Sequence, residues 1–321
     1  MAVNSAEPQS GRRGLSESFM RDLLDPASGI SLVLDHVKKD GTLALEIRND
    51  YFNIYYRGGS LAKIERKGVG SYAVGFDDDY FGDGAVPHLL VDAITASESA
   101  TAWIADVPRL KNAMDLLYGA SGNSEREYQQ RVVRDNNVDK FGTSSDYYIC
   151  DVEYAAPSMR FDLVAAHWPS TAASRKNPHG KGMAVIELKV LDGSLGGDAG
   201  LAKHLQDFHT FINGPDLGLF REEMRTIFRQ KVQLGLVSCK YPIESFVDEV
   251  PSFVLLLVNH DPASRKLLNF LKDLPSFPDV ELKVATACFA GCSLYDQGMY
   301  RMDDFLARFK DQIYSGEWPA G

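Results

Sequence analysis

"AVIELKVLDGS", residues 184 to 194, reads as a core strand interrupted by charge. Ala184, Val185 and Ile186 open an apolar run that Val190 and Leu191 continue, with Glu187 and Lys189 inside it. Side chains two apart on a strand point to the same face. A carboxylate and an ammonium therefore stand side by side, and burying them requires compensation by a partner or a ligand. A near-copy, "DVELKVATACF", occupies residues 279 to 289.

Outward from this stretch the text alternates between strand and helix. Upstream lie "DYYICDVEYAA" from residue 146, then "MRFDLVAAHW" and a polar loop at 169 to 181. Downstream, the Gly-rich "DGSLGGDAG" leads into "LAKHLQDFHTFI", where Leu201, Leu205, Phe208 and Ile212 recur at helical spacing. A helix is expected at about 217 to 230, strands at "VQLGLVS" and "SFVLLLVN", a helix at 262 to 273 and a late strand at "VELKVATACFA". Before them, residues 102 to 118 and 123 to 136 read as helices, the second opening with the capping-box pattern Ser124 to Glu127. From residue 123 the order is helix, three strands, helix, strand, an α/β layout with a mixed sheet.

The N-terminal text is different. Residues 1 to 15 form a polar tail without the apolar core of a signal peptide. Residues 16 to 39 hold a short helix-like stretch and the apolar run "GISLVLDHV". "LALEIRN", "YFNIYY", "SLAKIERKG" and "YAVGF" follow as strands, with Gly58-Gly59 as a turn. The expected organisation is a tail (1–15), an N-terminal α+β region (16–118) and an α/β domain (119–321).

Composition narrows the function classes. The 321 residues are 45% hydrophobic, enough for one large or two modest cores. No apolar run approaches a membrane span. Cys150, Cys239, Cys288 and Cys292 show no CxxC spacing and read as reduced thiols, so a cytoplasmic setting is expected. With 34 basic and 44 acidic residues the net charge is −10, which disfavours polyanion binding by the whole surface but leaves room for a local basic groove.

Asp162 shares a strand face with Val164 and Ala166, and Glu187 and Lys189 share one with Val185. If the two strands are neighbours, Asp162 and Glu187 converge at one end of the sheet. Two such carboxylates repel unless a proton or a cation intervenes. Mg²⁺ is commonly held by one or two carboxylates together with waters and phosphate oxygens, and Mn²⁺ can substitute. Lys189 beside them can orient an attacking water and offset charge on a phosphate.

Asp162, followed after 24 residues by Glu187-Leu188-Lys189 on an apolar strand, resembles the signature of the PD-(D/E)XK nucleases. The resemblance implies a restriction-endonuclease-like core: a central mixed β-sheet flanked by helices, here spanning about residues 123 to 240. It implies that Asp162 and Glu187 bind Mg²⁺ and that Lys189 assists water attack. Some branches of the family add a Glu from the first helix, where Glu127 or Glu125 stands. Others add a Gln from the helix after the third strand, where Gln206 stands with Lys203 and His204 close by. Glu153 in "CDVEY" is a further metal-ligand candidate. Phe161 stands where the family often has Pro. The implied activity is hydrolysis of DNA, or of RNA, in defence or repair. The competing reading is a nuclease-fold nucleic-acid-binding or assembly subunit of a larger complex without independent activity; a homo-oligomer or a protein partner is expected in either case. A simpler reading makes Glu187 and Lys189 a same-face ion pair and joins Asp162 to Arg160.

Arg48, Arg57, Lys63, Arg66 and Lys67 interleave with Tyr51, Phe52, Tyr55 and Tyr56, a pattern that can track a nucleic-acid backbone and stack bases. The ordinary alternative is a twisted hairpin with core aromatics and solvated charges. The late copy, Glu281 and Lys283, lacks an acid arriving from a neighbouring strand and reads as structural. "FDDDYFGDG", 76 to 84, fails as a calcium loop because Phe81 and His88 stand at ligand positions. No GxSxG, P-loop, GxGxxG or HExxH pattern is present.

Overall fold

The computed structural model describes residues 13–81, 89–121, 124–137, 145–156, 159–191, 200–288 and 290–315. Most of the polar tail, residues 192–199 of the Gly-rich stretch, and His88 lie outside the described residues. The architecture is α/β, with two β-sheets flanked by helices. The chain divides into two compact units: residues 1–130 with 223–242, and residues 131–222 with 243–321.

The first unit begins with α1 (Glu17–Leu24) and α2 (Gly29–Lys39). The run "GISLVLDHV" is thus a helix, burying Ile30, Val33, Leu34 and Val37 on one face. An antiparallel sheet follows in the order β1 (Leu43–Ile47), β2 (Tyr51–Tyr56), β3 (Gly59–Gly68), β4 (Ser71–Gly75) and β5 (Ala93–Ile94). The β2–β3 turn is Arg57-Gly58, one residue earlier than the Gly58-Gly59 expected, since Tyr56 pairs with Gly59. Both turn residues have positive φ, 49° and 77°, as the tightest hairpin turn requires. Phe19 of α1 packs against Phe52 and Tyr72, and α3 (Ser97–Ser121) adds Trp103 to this core.

The boundary expected at residue 118 falls inside α3. Residues 223–242 belong to the first unit because α7 (Leu217–Gln233) brings them back to it. Gln230 accepts from the Leu15 N–H at 2.9 Å and donates to its carbonyl at 2.7 Å. Lys231 meets Glu46 in a buried ion pair of 2.8 Å. The strand expected at "VQLGLVS" does not form. The helix runs on to Gln233, and Gly235, at φ 70°, ends it with the Leu236 N–H bonded to the Lys231 carbonyl.

The second unit contains β6 (Tyr147–Ala156), β7 (Met159–His167), α5 (Ala172–Lys176), β8 (Gly182–Val190), α6 (Leu201–Ile212), β9 (Ser252–Val258), α8 (Arg265–Lys272), β10 (Leu282–Ala287), β11 (Met299–Arg301) and α9 (Met302–Ser315), with α4 (Ser124–Asn137) spanning the division. Its mixed sheet has the order β11-β10-β9-β8-β7-β6. β6, β7 and β8 are antiparallel, whereas β8, β9 and β10 are parallel. Parallel strands lie under helices on both faces, and every residue of β9 is buried. The rings of Phe161, Phe208, Phe211 and Phe220 fasten β7, α6 and the start of α7 together.

Candidate active site

The quoted stretch forms β8, with Met183 to Val190 buried. Its pairing differs on its two sides. Against β9 it is paired through Val190, with Glu187 beside Leu255 and Lys189 beside Leu257. Against β7 the pairs run from His167–Gly182 to Leu163–Ile186 and end there. The next backbone donor, the Leu188 N–H, bonds to the Asp162 carboxylate at 2.8 Å. A side chain thus takes over where the ladder stops, and it satisfies a buried donor that would otherwise be costly. Asp162 is half-buried and reaches β8 at the peptide between Glu187 and Lys189.

The Glu187 and Lys189 side chains are 3% and 8% exposed, and Lys189 Nζ lies 2.6 Å from Glu187 Oε1. His204 of α6 approaches the same oxygen, its Nε2 at 3.4 Å. Leu201, Leu205, Phe208, Phe211 and Ile212 anchor α6 to the core. His204 stands on the border of that stripe, three residues after Leu201, and so faces inward. The sequence reading named it only as a neighbour of Gln206. A histidine in a position where the helical repeat asks for an apolar residue was the signal available.

On the other side of β7, Glu153 lies at the level of Asp162. The pairs Val152–Leu163 and Tyr154–Phe161 flank it, and its own φ is 51°. A left-handed conformation in a non-glycine strand residue costs roughly 1–2 kcal/mol. β6 is therefore irregular at the same level at which β7 leaves β8. The Glu153 carboxylate accepts from Arg160 at 2.7 Å.

The remaining candidates are placed elsewhere. Gln206 is exposed on α6, and Lys203 pairs along that helix with Asp207 at 2.7 Å. Glu127 belongs to the first unit, where its carboxylate binds Arg57. Arg57 also pairs with Asp115 at 2.8 Å, and hydrogen bonds to Glu127 and Asp115 hold its pKa above the ordinary arginine value. Arg48 is buried and donates to the Tyr55 hydroxyl at 2.9 Å. Arg66 pairs with Asp22, and Lys63 and Lys67 both meet Glu65 at 3.5 and 3.0 Å. Lys63 also lies over the Tyr51 ring at 4.5 Å. Each of these basic groups has a carboxylate or ring partner within the unit, so the cluster is largely neutralised where it stands.

The two copies of the ELK triplet differ in burial. Lys283 and Glu281 form the same kind of pair at 3.1 Å, but their side chains are 24% and 54% exposed. There the charges are solvated; at Glu187 and Lys189 they are not.

Among the described residues, no group of three or more His, Cys, Asp and Glu side chains is placed to hold a metal ion. A Mg²⁺ site does not require one, because waters and phosphate oxygens fill most of its six positions. Asp162 of β7 and Glu187 of β8 supply hard carboxylate oxygens from neighbouring strands, the donor chemistry such an ion takes. Among the described residues no helix is long and apolar enough to cross a membrane. No family model, curated protein or solved structure matches the chain.

Proposed function

We propose that the chain is a Mg²⁺-dependent nuclease that hydrolyses phosphodiester bonds, in DNA rather than RNA, on a restriction-endonuclease-like core. The observation that supports this reading is the meeting of Asp162 with β8 beside the buried Glu187–Lys189 pair. A buried acid and base at a break in a sheet, with a second carboxylate bonded between them, are poor stabilising devices. They suit a centre that binds a cation and an anionic substrate.

Asp162 and Glu187 would hold Mg²⁺, with Mn²⁺ as a substitute. When bound, the ion supplies Lewis-acid neutralisation of the phosphate charge. The chain's own groups do the rest. Lys189 orients the attacking water and stabilises negative charge that grows on the phosphate. Leu255 and Leu257, buried beside the pair on β9, keep bulk water from that flank, which strengthens these interactions.

The test is a cleavage panel of single-stranded, double-stranded and branched DNA and of RNA, with and without Mg²⁺ or Mn²⁺. Metal-dependent cutting should fall by about 10²-fold or more in Lys189→Ala and Glu187→Ala. Cutting that persists unchanged in both variants would overturn the assignment. Specific nucleic-acid binding without metal-dependent cutting would favour the binding or assembly subunit instead.

A further inference from the structure

Glu187 Oε1 is the meeting point of two basic groups, Lys189 Nζ at 2.6 Å and His204 Nε2 at 3.4 Å. The side chains of Glu187 and Lys189 are almost wholly buried. A buried carboxylate must have a counter-charge, and here the chain provides it from two residues along the same strand. The exposed pair Glu281–Lys283 shows that the triplet places an ammonium beside a carboxylate whether or not burial demands it.

From this geometry we infer that Lys189 is an internal counter-cation that a divalent metal ion has to displace from Glu187. The inference rests on the nuclease reading and adds a regulatory step to the same site. A Mg²⁺ ion sits roughly 2.0–2.1 Å from a carboxylate oxygen. An ammonium 2.6 Å from that oxygen would then face a double positive charge at short range. The ammonium must swing away while its stem stays anchored in β8. Turned from Glu187, the ammonium can meet the anionic substrate, which couples metal entry to presentation of Lys189 to the phosphate. Until metal arrives, the lysine is held on Glu187 and the site stays neutral enough to remain folded. Removing the lysine therefore destroys catalysis and at the same time strengthens metal binding, because the competitor is gone.

The test is a calorimetric Mn²⁺ titration of wild type, Lys189→Met, Lys189→Gln and Lys283→Met, with thermal melts of each in chelator and in Mn²⁺. Lys189→Met and Lys189→Gln should bind Mn²⁺ about tenfold more tightly than wild type, the change expected when one close charge pair no longer competes. They should melt lower than wild type in chelator and gain more from Mn²⁺. Lys283→Met should match wild type. Lys189→Gln keeps a polar group that can hydrogen-bond Glu187, so it tests the inference if the methionine variant does not fold. If wild type binds Mn²⁺ and cleaves while the Lys189 variants bind equally or more weakly, the displacement inference falls and the nuclease reading stands. If neither wild type nor the variants bind Mn²⁺, the metal site falls and the inference with it.

Discussion

Asp162 does two jobs that substitution can separate. Its carboxylate accepts the Leu188 N–H at 2.8 Å, and it brings negative charge to the residue next to Glu187. Asp162→Asn keeps an oxygen for Leu188 but removes the charge; Asp162→Ala removes both. Leu188 is fully buried, so losing its acceptor leaves a buried donor unpaired at a cost of about 1–3 kcal/mol. Relief of repulsion with Glu187 is common to both variants and cancels in the comparison. Asp162→Ala should therefore be less stable than Asp162→Asn by about 1–2 kcal/mol. Urea unfolding followed by circular dichroism measures this, provided the slope is unchanged between variants. Amide exchange should rise at Leu188 in the alanine variant only. Both variants should lose metal-dependent cleavage, because neither keeps the carboxylate. Equal stabilities would refute the structural role assigned to the Leu188 bond. Cleavage retained by Asp162→Asn would refute the metal role.

Two further outcomes concern the first unit. Lys231→Met should destabilise by about 3–5 kcal/mol in urea melts, since it takes the buried ammonium away from Glu46, whereas Glu46→Leu with Lys231→Met should recover most of the loss. A double variant as unstable as the single one would show that the pair itself, not the buried carboxylate left behind, is what matters. Burial pushes the Asp40 carboxyl up, but hydrogen bonds from Lys111 and Thr42 and the charge of Lys111 outweigh it and hold the pKa at about 2. The resulting stability is present above the ordinary value of 3.8 and is lost as pH falls towards 2. Lys111→Met should therefore cost roughly 1–2 kcal/mol at pH 6 and much less near pH 2; an equal cost at both would discard the pairing.

The second unit was legible because its strands are short apolar runs bounded by turns and polar loops. β7, β8 and β9 fall within a residue or two of the segments read from alternation and apolar content. Where local pattern was ambiguous, the reading failed for identifiable reasons. "VQLGLVS" has strand-like residues, but it continues a helix whose end is set by Gly235 in the left-handed region. The division of the chain was not legible either. Residues 223–242 join the first unit through Lys231 with Glu46 and Gln230 with Leu15, contacts between residues about two hundred positions apart. The basic and aromatic cluster is a third case. Arg57, Arg66, Lys63 and Lys67 are present as read, but Asp115, Glu127, Asp22 and Glu65 answer them, three of these from well outside the cluster. Charge counted along a sequence gives no account of charge already paired in space.

The two ELK triplets make the same point at the candidate site. Both place glutamate and lysine two residues apart, and both form a pair, at 2.6 and 3.1 Å. Local sequence fixes that much. What separates them is the position of the strand. β8 lies inside a six-stranded sheet, between β7 and β9, and Glu187 and Lys189 fall where β7 has stopped pairing. Glu281 precedes the first residue of β10, at the mouth of the sheet, and water reaches it. A charged pair in water has little effect on stability or affinity, whereas a buried one depends strongly on every charge near it. Asp162 and His204 matter for that reason: His204 arrives from α6 at a carboxylate that is shielded from solvent, and Asp162 arrives from β7 at the residue beside it. The difference between the two triplets thus follows from burial and from the break in the ladder, neither of which is written in the triplet itself.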